Sequence, residues 1–148
     1  MAKAQTPSAG YSGTPLLKKL GYTSDQTAAL IDAPKALRPH LAAAEFKALS
    51  DAAIDAVGGL KGPLDAVHAF ATERAKLKRA LPQLMKRLAP DGMIWISWPK
   101  KAAKVETDIT EDVIRAEALP LGLVDVKVCA VDETWSGLKL VIRKELRK

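Results

Sequence analysis

The sequence contains one cysteine, Cys129, and two histidines, His40 and His68. A single thiol excludes a disulfide within the chain and a cysteine-based metal site. Neither histidine has a second histidine or cysteine at the spacing of metal ligands, so both are interpreted as structural or surface residues. Cys129 shares a strand face with Lys127, whose charge would lower the pKa of the thiol, but no histidine or asparagine completes a dyad. The sequence therefore indicates no metal site and no catalytic residue.

Long apolar runs and aromatic residues are also scarce. No stretch approaches the roughly 18 apolar residues of a membrane-spanning helix. The first ten residues, MAKAQTPSAG, lack the apolar core of a secretory signal and are predicted to be a disordered lead-in. These absences favour a cytoplasmic protein without a membrane anchor, and residues 11–148 are predicted to form a single domain.

The net charge is +6 and it is unevenly distributed. Residues 1–72 carry seven Lys and Arg against six Asp and Glu, whereas residues 73–148 carry sixteen against eleven. The excess in the second half weakly favours anionic ligands or surfaces. A nucleic-acid partner is not favoured, because aromatic residues make up only 5% of the chain and the basic residues of segment 73–88 spread over a whole solvated face.

One apolar stretch organises the rest of the chain. Residues 93–98 are apolar except for Ser97, a composition typical of a central strand covered by helices on both faces. The segment over 73–88 carries leucines at helical spacing and is predicted to be an amphipathic helix. Pro82 is expected to kink or divide that helix, and Pro90-Asp91-Gly92 is predicted to be the turn into the central strand.

Other elements are predicted from local patterns. Thr14 is the predicted N-cap of a short helix with Pro15 at its first position and Gly21 at its end. The remaining predictions for the first half are strands over 27–32, 52–57 and 64–70 and a mostly helical segment over 35–50. Asp108 and Glu111 have the spacing of a capping box for a helix over 109–119. Alternating segments over 124–130 and 138–143 are joined by a short link, which predicts an antiparallel hairpin.

Strands separated by helices indicate an α/β fold, Rossmann-like, with a mostly parallel sheet and helices on both faces. The order of a buried strand, an amphipathic helix, a central strand, a capped helix and a closing hairpin resembles the second half of class I methyltransferases. That resemblance implies the strand order 2-1-3-4-6-5, in which the last strand is antiparallel to its neighbours.

Several short motifs suggest a narrower match. They are Tyr11-Ser12-Gly13-Thr14-Pro15, Asp32-Ala33-Pro34, Trp98-Pro99-Lys100-Lys101 and the run over 118–139 that contains Asp132-Glu133-Thr134-Trp135-Ser136-Gly137. Together they resemble an uncharacterised bacterial family known only as a domain of unknown function. This resemblance covers nearly the whole chain after residue 10, and it implies no particular reaction.

The segment after the first strand departs from the methyltransferase pattern. These enzymes place a glycine-rich loop there, so that the backbone and a helix N-terminus approach the cofactor. Here the position reads Asp32-Ala33-Pro34-Lys35-Ala36, which contains no glycine. An acidic residue at the end of the second predicted strand is also missing, because Gly58-Gly59 follows Val57. The cofactor loop is therefore interpreted as degenerate, and no cofactor is predicted.

The carboxyl ends of the parallel strands are the expected location of a ligand site. The residues predicted there are Ser12, Gly13, Thr14, Asp32, Trp98, Lys100, Lys101, Thr134 and Trp135. The two lysines would supply positive charge, and Ser12 and Thr14 would supply hydrogen bonds. The rings of the two tryptophans would stack on the ligand. Asp32 alone defines no reaction. The alternative is that the tryptophans cap the core and the lysines are ordinary solvated loop residues.

The leading hypothesis is a non-catalytic module that binds a small phosphate- or nucleotide-like anion at this edge. One alternative is a protein-interaction or homodimerisation module that uses the same face or a sheet edge. The other alternative is a residual S-adenosylmethionine-dependent methyltransferase.

Overall fold

A computed structural model describes residues 15–147 of the chain. The predicted lead-in over 1–10 and the predicted N-cap Thr14 lie outside these residues. The helices are α1 (Leu16–Leu20), α2 (Arg38–Ala42), α3 (Arg74–Arg87) and α4 (Glu111–Ala118). The strands are β1 (Thr27–Ile31), β2 (Ala48–Ala52), β3 (Leu64–Phe70), β4 (Leu88–Pro99), β5 (Leu123–Ala130) and β6 (Trp135–Ile142). Short 3-10 turns cover Ile54–Gly59, Lys101–Ala103, Leu119–Leu121 and Lys144–Leu146.

The six strands form one sheet in the order β2-β1-β3-β4-β6-β5. β1 is parallel to β2 and β3, and β3 is parallel to β4. β6 is antiparallel to both β4 and β5. The predicted Rossmann-like architecture, its strand order and its closing hairpin are therefore confirmed.

The sheet is covered on each face by a separate apolar layer. The α3–α4 layer is built from Ile94 and Ile96 of β4, with Leu81 of α3 and Ile114 of α4 packed on them. It forms because the leucines of α3 recur on one helical face and meet every second residue of the strands. The prediction that the central strand is buried on both faces is confirmed, since residues 93–97 are all buried.

The α1–α2 layer lies on the opposite face and contains Trp95 of β4, Leu20 of α1 and Leu41 of α2. The indole N–H of Trp95 donates to the carbonyl of Leu20 at 2.9 Å, so the buried ring has its one polar atom satisfied. Both helices of this layer contain only five residues. Among residues 15–147, no helix is long and apolar enough to cross a membrane.

The predictions for residues 35–59 are partly wrong. The helical part is confined to α2, the second strand is Ala48–Ala52 and not 52–57, and Ile54–Gly59 is a 3-10 turn. β2 is an edge strand with the sequence ALSDA, which has little intrinsic preference for a strand. Its parallel pairing with β1 therefore decides its conformation.

Two further expectations about α3 and β4 need correction. Pro82 lies inside α3 and does not divide it, because the helix continues to Arg87; the alternative effect, a kink, stays a prediction. The residues Pro90-Asp91-Gly92 belong to an irregular part of β4, since Leu64 pairs with Leu88 while Ala66 pairs with Met93. A Cβ atom at Gly92 would lie 2.8 Å from the carbonyl oxygen of Leu64, so the close approach of the two strands requires glycine.

Candidate functional site

The loop after β4 and the hairpin link meet at the carboxyl edge of the sheet. The backbone N–H of Lys100 donates to the carbonyl of Thr134 at 2.7 Å, and its ammonium donates to the carbonyl of Asp132 at 2.8 Å. Pro99 and Trp135 are paired in the β4–β6 register. The structure therefore brings these two predicted loops together.

Asp132 shapes the hairpin link. Its carboxylate accepts hydrogen bonds from the backbone N–H groups of Thr134 at 2.8 Å and Trp135 at 2.7 Å, as Asp side chains do in tight turns. This turn presents two carbonyl groups to Lys100. The carbonyl of Thr134 binds the backbone N–H of Lys100. The predicted contact of Thr134 with a ligand stays a prediction.

The end of β3 is joined to the loop before α4. The hydroxyl of Thr107 donates to the carbonyl of Thr72 at 2.7 Å, and the carboxylate of Asp108 accepts from the backbone N–H of Arg74 at 2.7 Å. Asp108 thus satisfies a free N–H group at the start of α3. The capping-box spacing predicted Asp108 as the N-cap of α4, and this prediction is wrong. Thr110 is the N-cap, and its side chain accepts from the backbone N–H of Val113.

A crevice of about 250 Å³ opens beside Trp98 at this edge. We call it the Trp98 crevice. Its lining residues are Trp98, Pro99, Lys100, Lys101, Val105, Thr107, Ile109 and Thr110. Trp98 is half-buried and packs on the α3–α4 layer, while Lys101 is exposed. The crevice combines an apolar wall with two positive charges, which suits a small ligand with an anionic group.

Trp98 and Trp135 do not form one wall. Trp98 packs against the α3–α4 layer, whereas Trp135 packs against the α1–α2 layer, where its ring meets Phe70 edge-on at 5.2 Å between centroids. The two residues lie on neighbouring strands whose side chains alternate between the faces of the sheet. A single planar ligand therefore does not stack on both rings.

A larger crevice of about 510 Å³ lies beside the Trp98 crevice and shares Thr107 with it. Its charged lining residues are Glu73, Glu106 and Asp108. Three carboxylates disfavour an anion by Coulomb repulsion. The smaller, lysine-lined crevice is consequently the better location for an anionic ligand, although it is not the larger space.

Asp32 lies on the same edge but is used locally. It follows β1 with a positive φ of 52°, and its carboxylate accepts from the backbone N–H of Ile54 at 3.2 Å. The space between Asp32 and Thr72 is a crevice of only about 60 Å³. This gap between β1 and β3 is the topological switch point, where Rossmann-like folds hold their nucleotides. Its volume is far below the roughly 300–1,000 Å³ of ordinary ligand pockets.

The corrected position of β2 reveals an acidic residue that the sequence analysis missed. Asp51 lies one residue before the end of β2 and is bound by both Nε and Nη2 of Arg38, at 2.9 and 2.6 Å. Hydrogen bonds from Arg38 hold the pKa of Asp51 below its ordinary value. An acid does stand near the end of the second strand, contrary to the prediction, but its carboxylate already has a partner within the chain.

A buried chain of three side chains crosses the α1–α2 layer. The hydroxyl of Tyr22 lies 2.8 Å from Nδ1 of His68, and Nε2 of His68 lies 2.6 Å from the hydroxyl oxygen of Ser97. Burial lowers the pKa of His68 to about 3 and raises that of Tyr22. Neither Ser97 nor His68 lines any of the three crevices described above. The interpretation of His68 as a structural residue is consistent with this burial, and the chain resembles a nucleophile–base pair only in its distances.

Cys129 is half-buried on β5. Burial raises the pKa of its thiol, and the nearby charges of Lys19 and Lys127 only oppose this effect. The expected lowering by a neighbouring ammonium is therefore outweighed by desolvation. In the part of the chain that the structure describes, no group of His, Cys, Asp and Glu side chains could hold a metal ion.

The remaining predicted site residues are outside the described chain. Ser12, Gly13 and Thr14 precede residue 15, so their placement at the carboxyl edge stays a prediction. Conversely, the structure adds crevice residues that the sequence analysis did not single out, namely Val105, Thr107, Ile109 and Thr110. Their position in the sequence could have indicated them, because they follow the motif Trp98-Pro99-Lys100-Lys101 in the loop between the central strand and α4.

No family model matches the chain, and no curated protein matches it. The narrower resemblance to one uncharacterised family therefore has no support from these comparisons. Solved structures do match. A SAM dependent methyltransferase from Aquifex aeolicus superposes with a TM-score of 0.64 and 15% identity, over 86% of this chain and 87% of that one.

Two further structures agree with this result. The ribosomal protein L11 methylase from Lactobacillus delbrueckii subsp. bulgaricus has a TM-score of 0.61 and 14% identity, over 80% of this chain and 71% of that one. The N-methyltransferase NodS from Bradyrhizobium japonicum has a TM-score of 0.55 and 16% identity, over 86% and 92% of the two chains. At such low identity the likeness concerns the fold alone. The chain has the fold of class I methyltransferases.

Proposed function

We propose that this chain is a binding module with a methyltransferase fold, which holds a small anionic ligand in the Trp98 crevice. The observation that carries the proposal is the charge of the loop after β4. Lys100, Lys101 and Lys104 lie within five residues, and none of their ammonium groups forms an ion pair within residues 15–147. Such a cluster repels itself until an anion neutralises it.

The individual groups are suited to bind an anion. One of the three ammonium hydrogens of Lys100 is used by the Asp132 carbonyl, which leaves two donors and fixes the side chain. Thr110 accepts from Val113, so its own O–H can still donate. The half-buried ring of Trp98 supplies an apolar surface for the rest of the ligand.

Three features of the switch point support binding without methyl transfer. The segment Asp32-Ala33-Pro34 after β1 has no glycine, so the backbone does not offer the usual close approach to a cofactor. The crevice beside it is only about 60 Å³. The carboxylate of Asp51, which would meet the ribose, is bound by Arg38.

Thermal unfolding with a panel of ligands tests this proposal. We expect phosphate, small carboxylates or nucleoside monophosphates to raise the Tm of the protein beyond a sodium chloride control at equal ionic strength. The double variant Lys100→Gln/Lys101→Gln should lose this increase. Lys61→Gln is the control, because it removes one exposed lysine near the opposite, amino edge of the sheet. This variant should keep the ligand-dependent increase in Tm. No increase in the wild type, or an equal increase in the double variant, would contradict the proposal.

An S-adenosylmethionine-dependent methyltransferase is the second candidate, favoured by the fold and by the position of Asp51. An acid about 20 residues after the first βα turn binds ribose hydroxyls in related dinucleotide folds, and Asp51 has that spacing from Asp32. Calorimetry with S-adenosylmethionine and its demethylated product tests this candidate. Binding that is lost in Asp51→Asn but kept in Asp55→Asn would support it, and the absence of heat would exclude it at the protein concentration used.

Homodimerisation through a sheet edge has weaker support. Val126 and Val128 of the edge strand β5 are exposed, but the register shift between Asp125 and Lys127 interrupts that edge. Irregularities and lysines on an edge strand oppose pairing with another chain. Light scattering over a range of concentrations should therefore find a monomer, and a stable dimer would reverse this preference.

A further inference from the structure

Lys139 occupies an unusual position on the face of the sheet. On β6 it is paired in register with Trp95 of β4 on one side and with Lys127 of β5 on the other. Two lysines directly opposite each other on neighbouring strands repel. Lys139 is half-buried, and within residues 15–147 its ammonium forms no ion pair and no hydrogen bond.

A cavity of about 350 Å³ adjoins this side chain at the amino edge of the sheet. Its lining residues are Thr23, Asp25, Gln26, Asp65, Asp91, Met93, Lys139 and Val141. Met93 and Val141 place apolar surface beside the amine. The volume lies within the range of cavities that hold small organic ligands.

The charged groups around Lys139 come from several elements. Lys127 faces it from β5, and Asp25, Asp65 and Asp91 share the cavity from the loop before β1, from β3 and from β4. Two of the carboxylates have other partners: Asp65 accepts from the N–H of Thr27 at 2.8 Å, and Asp25 accepts from the hydroxyl of Thr23. Burial lowers the pKa of Lys139, and the charge of Lys127 lowers it further. Both effects favour the neutral amine, which is the nucleophilic form, whereas the carboxylates of the cavity favour the ammonium. The pKa of Lys139 is nevertheless lowered, so burial and the charge of Lys127 prevail.

We propose that Lys139 is a nucleophilic amine site that takes small uncharged or cationic aldehydes. The amine nitrogen attacks the carbonyl carbon and forms a C=N bond. The C=O bond breaks, and its oxygen leaves as water with the two hydrogens of the amine, so no oxidant or reductant is consumed. The carboxylates of the cavity repel anionic aldehydes, which sets the ligand class. The site lies at the opposite edge from the Trp98 crevice and does not depend on the function proposed there.

Reductive methylation of the whole chain tests the proposal. Brief exposure to formaldehyde with cyanoborohydride traps the imine on each lysine, and peptide mass spectrometry measures the extent per site. At pH 7 we expect Lys139 to react about threefold or more faster than the exposed Lys101 and Lys104, since burial lowers its pKa and so leaves a larger fraction of its amine neutral. Equal or slower reaction of Lys139 would overturn the proposal.

Variants of the neighbouring Lys127 test whether its charge contributes to the reactivity of Lys139. Lys127→Met should slow the reaction of Lys139 at pH 7, and Lys127→Arg, which keeps the charge, should not. Lys104→Met serves as a control that removes the same charge elsewhere. If Lys127→Met leaves the rate of Lys139 unchanged while circular dichroism shows a folded protein, the inferred role of this charge pair is wrong.

The ligand class has its own test with two aldehydes of similar size. Glycolaldehyde is uncharged and glyoxylate is anionic, and we expect Lys139 to react with the former at least several times faster. In Asp25→Asn/Asp91→Asn the difference should shrink, because the repulsion of the anion is reduced. Preferential reaction with glyoxylate in the wild type would overturn the assigned class.

Discussion

His68 is held without charge in the middle of the sheet, between Tyr22 and Ser97. Its side chain is completely buried, and its ring stacks on Phe70 with the centroids 4.4 Å apart. Both ring nitrogens have hydroxyl partners, so the neutral ring is satisfied and the imidazolium is excluded by desolvation. At the scale of single residues, the protonation of His68 is therefore strongly linked to folding.

Stability should therefore fall as the pH decreases below about 6.5. The unfolded chain binds a proton on His68 near the ordinary pKa of 6.5, whereas the folded chain binds it only near pH 3. Between these values the unfolded state holds more protons, which lowers the free energy of unfolding by up to about 1.4 kcal/mol per pH unit. Urea unfolding followed between pH 7 and 5 measures this slope.

Two variants assign the slope to this residue. In Tyr22→Phe/His68→Leu/Ser97→Ala all three partners become apolar. The decrease in the free energy of unfolding that the wild type shows between pH 6.5 and 5 should therefore be absent from this variant. His40→Gln removes the only other histidine of the sequence, and this variant should keep the pH dependence of the wild type. The window stops at pH 5, because carboxylates with lowered pKa values, such as Asp51 and Asp125, lose their stabilising contribution only at lower pH.

At the scale of elements, the ends of the helices are set by individual backbone positions. Gly21 ends α1 in the left-handed conformation, with a φ of 80°. The N–H groups of Gly21 and Tyr22 both donate to carbonyl groups of the last turn of α1, the arrangement of a Schellman-type end. The predicted role of Gly21 is thus confirmed. α1 is short and carries Leu20, whose carbonyl binds Trp95, so its end matters for the whole layer.

Gly21→Ala should lower the free energy of unfolding by about 1–2 kcal/mol, because a Cβ atom is unfavourable in the left-handed region. The new Cβ would make only ordinary contacts with Met93, at 3.6 Å, so the cost is conformational. Gly59→Ala is the matched control, because its Cβ meets no atom within 4 Å and its φ is not positive. It should change stability by less than about 0.5 kcal/mol. Equal effects of both substitutions would contradict this assignment.

At the scale of the whole molecule, one sheet separates two apolar layers that share every central strand. Residues of β4 alternate between the layers, so we expect each layer to lose its packing when the other does. The structure therefore predicts one cooperative unit, while the single domain that the sequence predicts over residues 11–148 stays a prediction. That expectation needs an experiment of its own.

Leu81→Ala in the α3–α4 layer and Leu41→Ala in the α1–α2 layer should each destabilise the protein by about 2–5 kcal/mol. Both leucines are fully buried. In the wild type and in both variants, far-ultraviolet circular dichroism and tryptophan fluorescence should give coincident urea transitions. Separate transitions, or a Leu41→Ala variant that affects only one of the two signals, would show that the layers unfold independently.

Most of the fold was predictable because it is encoded in strong local patterns. Apolar strands such as residues 93–98 and the leucine repeat of α3 bury large areas whatever their exact neighbours are. β2 was not predictable, since its sequence is equally compatible with a helix and its conformation depends on hydrogen bonds to β1. Asp51 was consequently overlooked, and the capping role of Asp108 was assigned to the wrong helix because its partner, Arg74, is 34 residues distant.

The sequence by itself determined the class of fold, the strand order by resemblance, and the meeting of the β4 loop with the hairpin link. These depend on periodicity and on the direction of parallel strands, which are local or topological properties. Only the tertiary structure decided that Trp98 and Trp135 face different layers, that Asp51 is bound by Arg38, and that Lys139 lies against Lys127 beside a cavity. Such facts depend on register and on distances between residues far apart in the chain, and no local pattern specifies them.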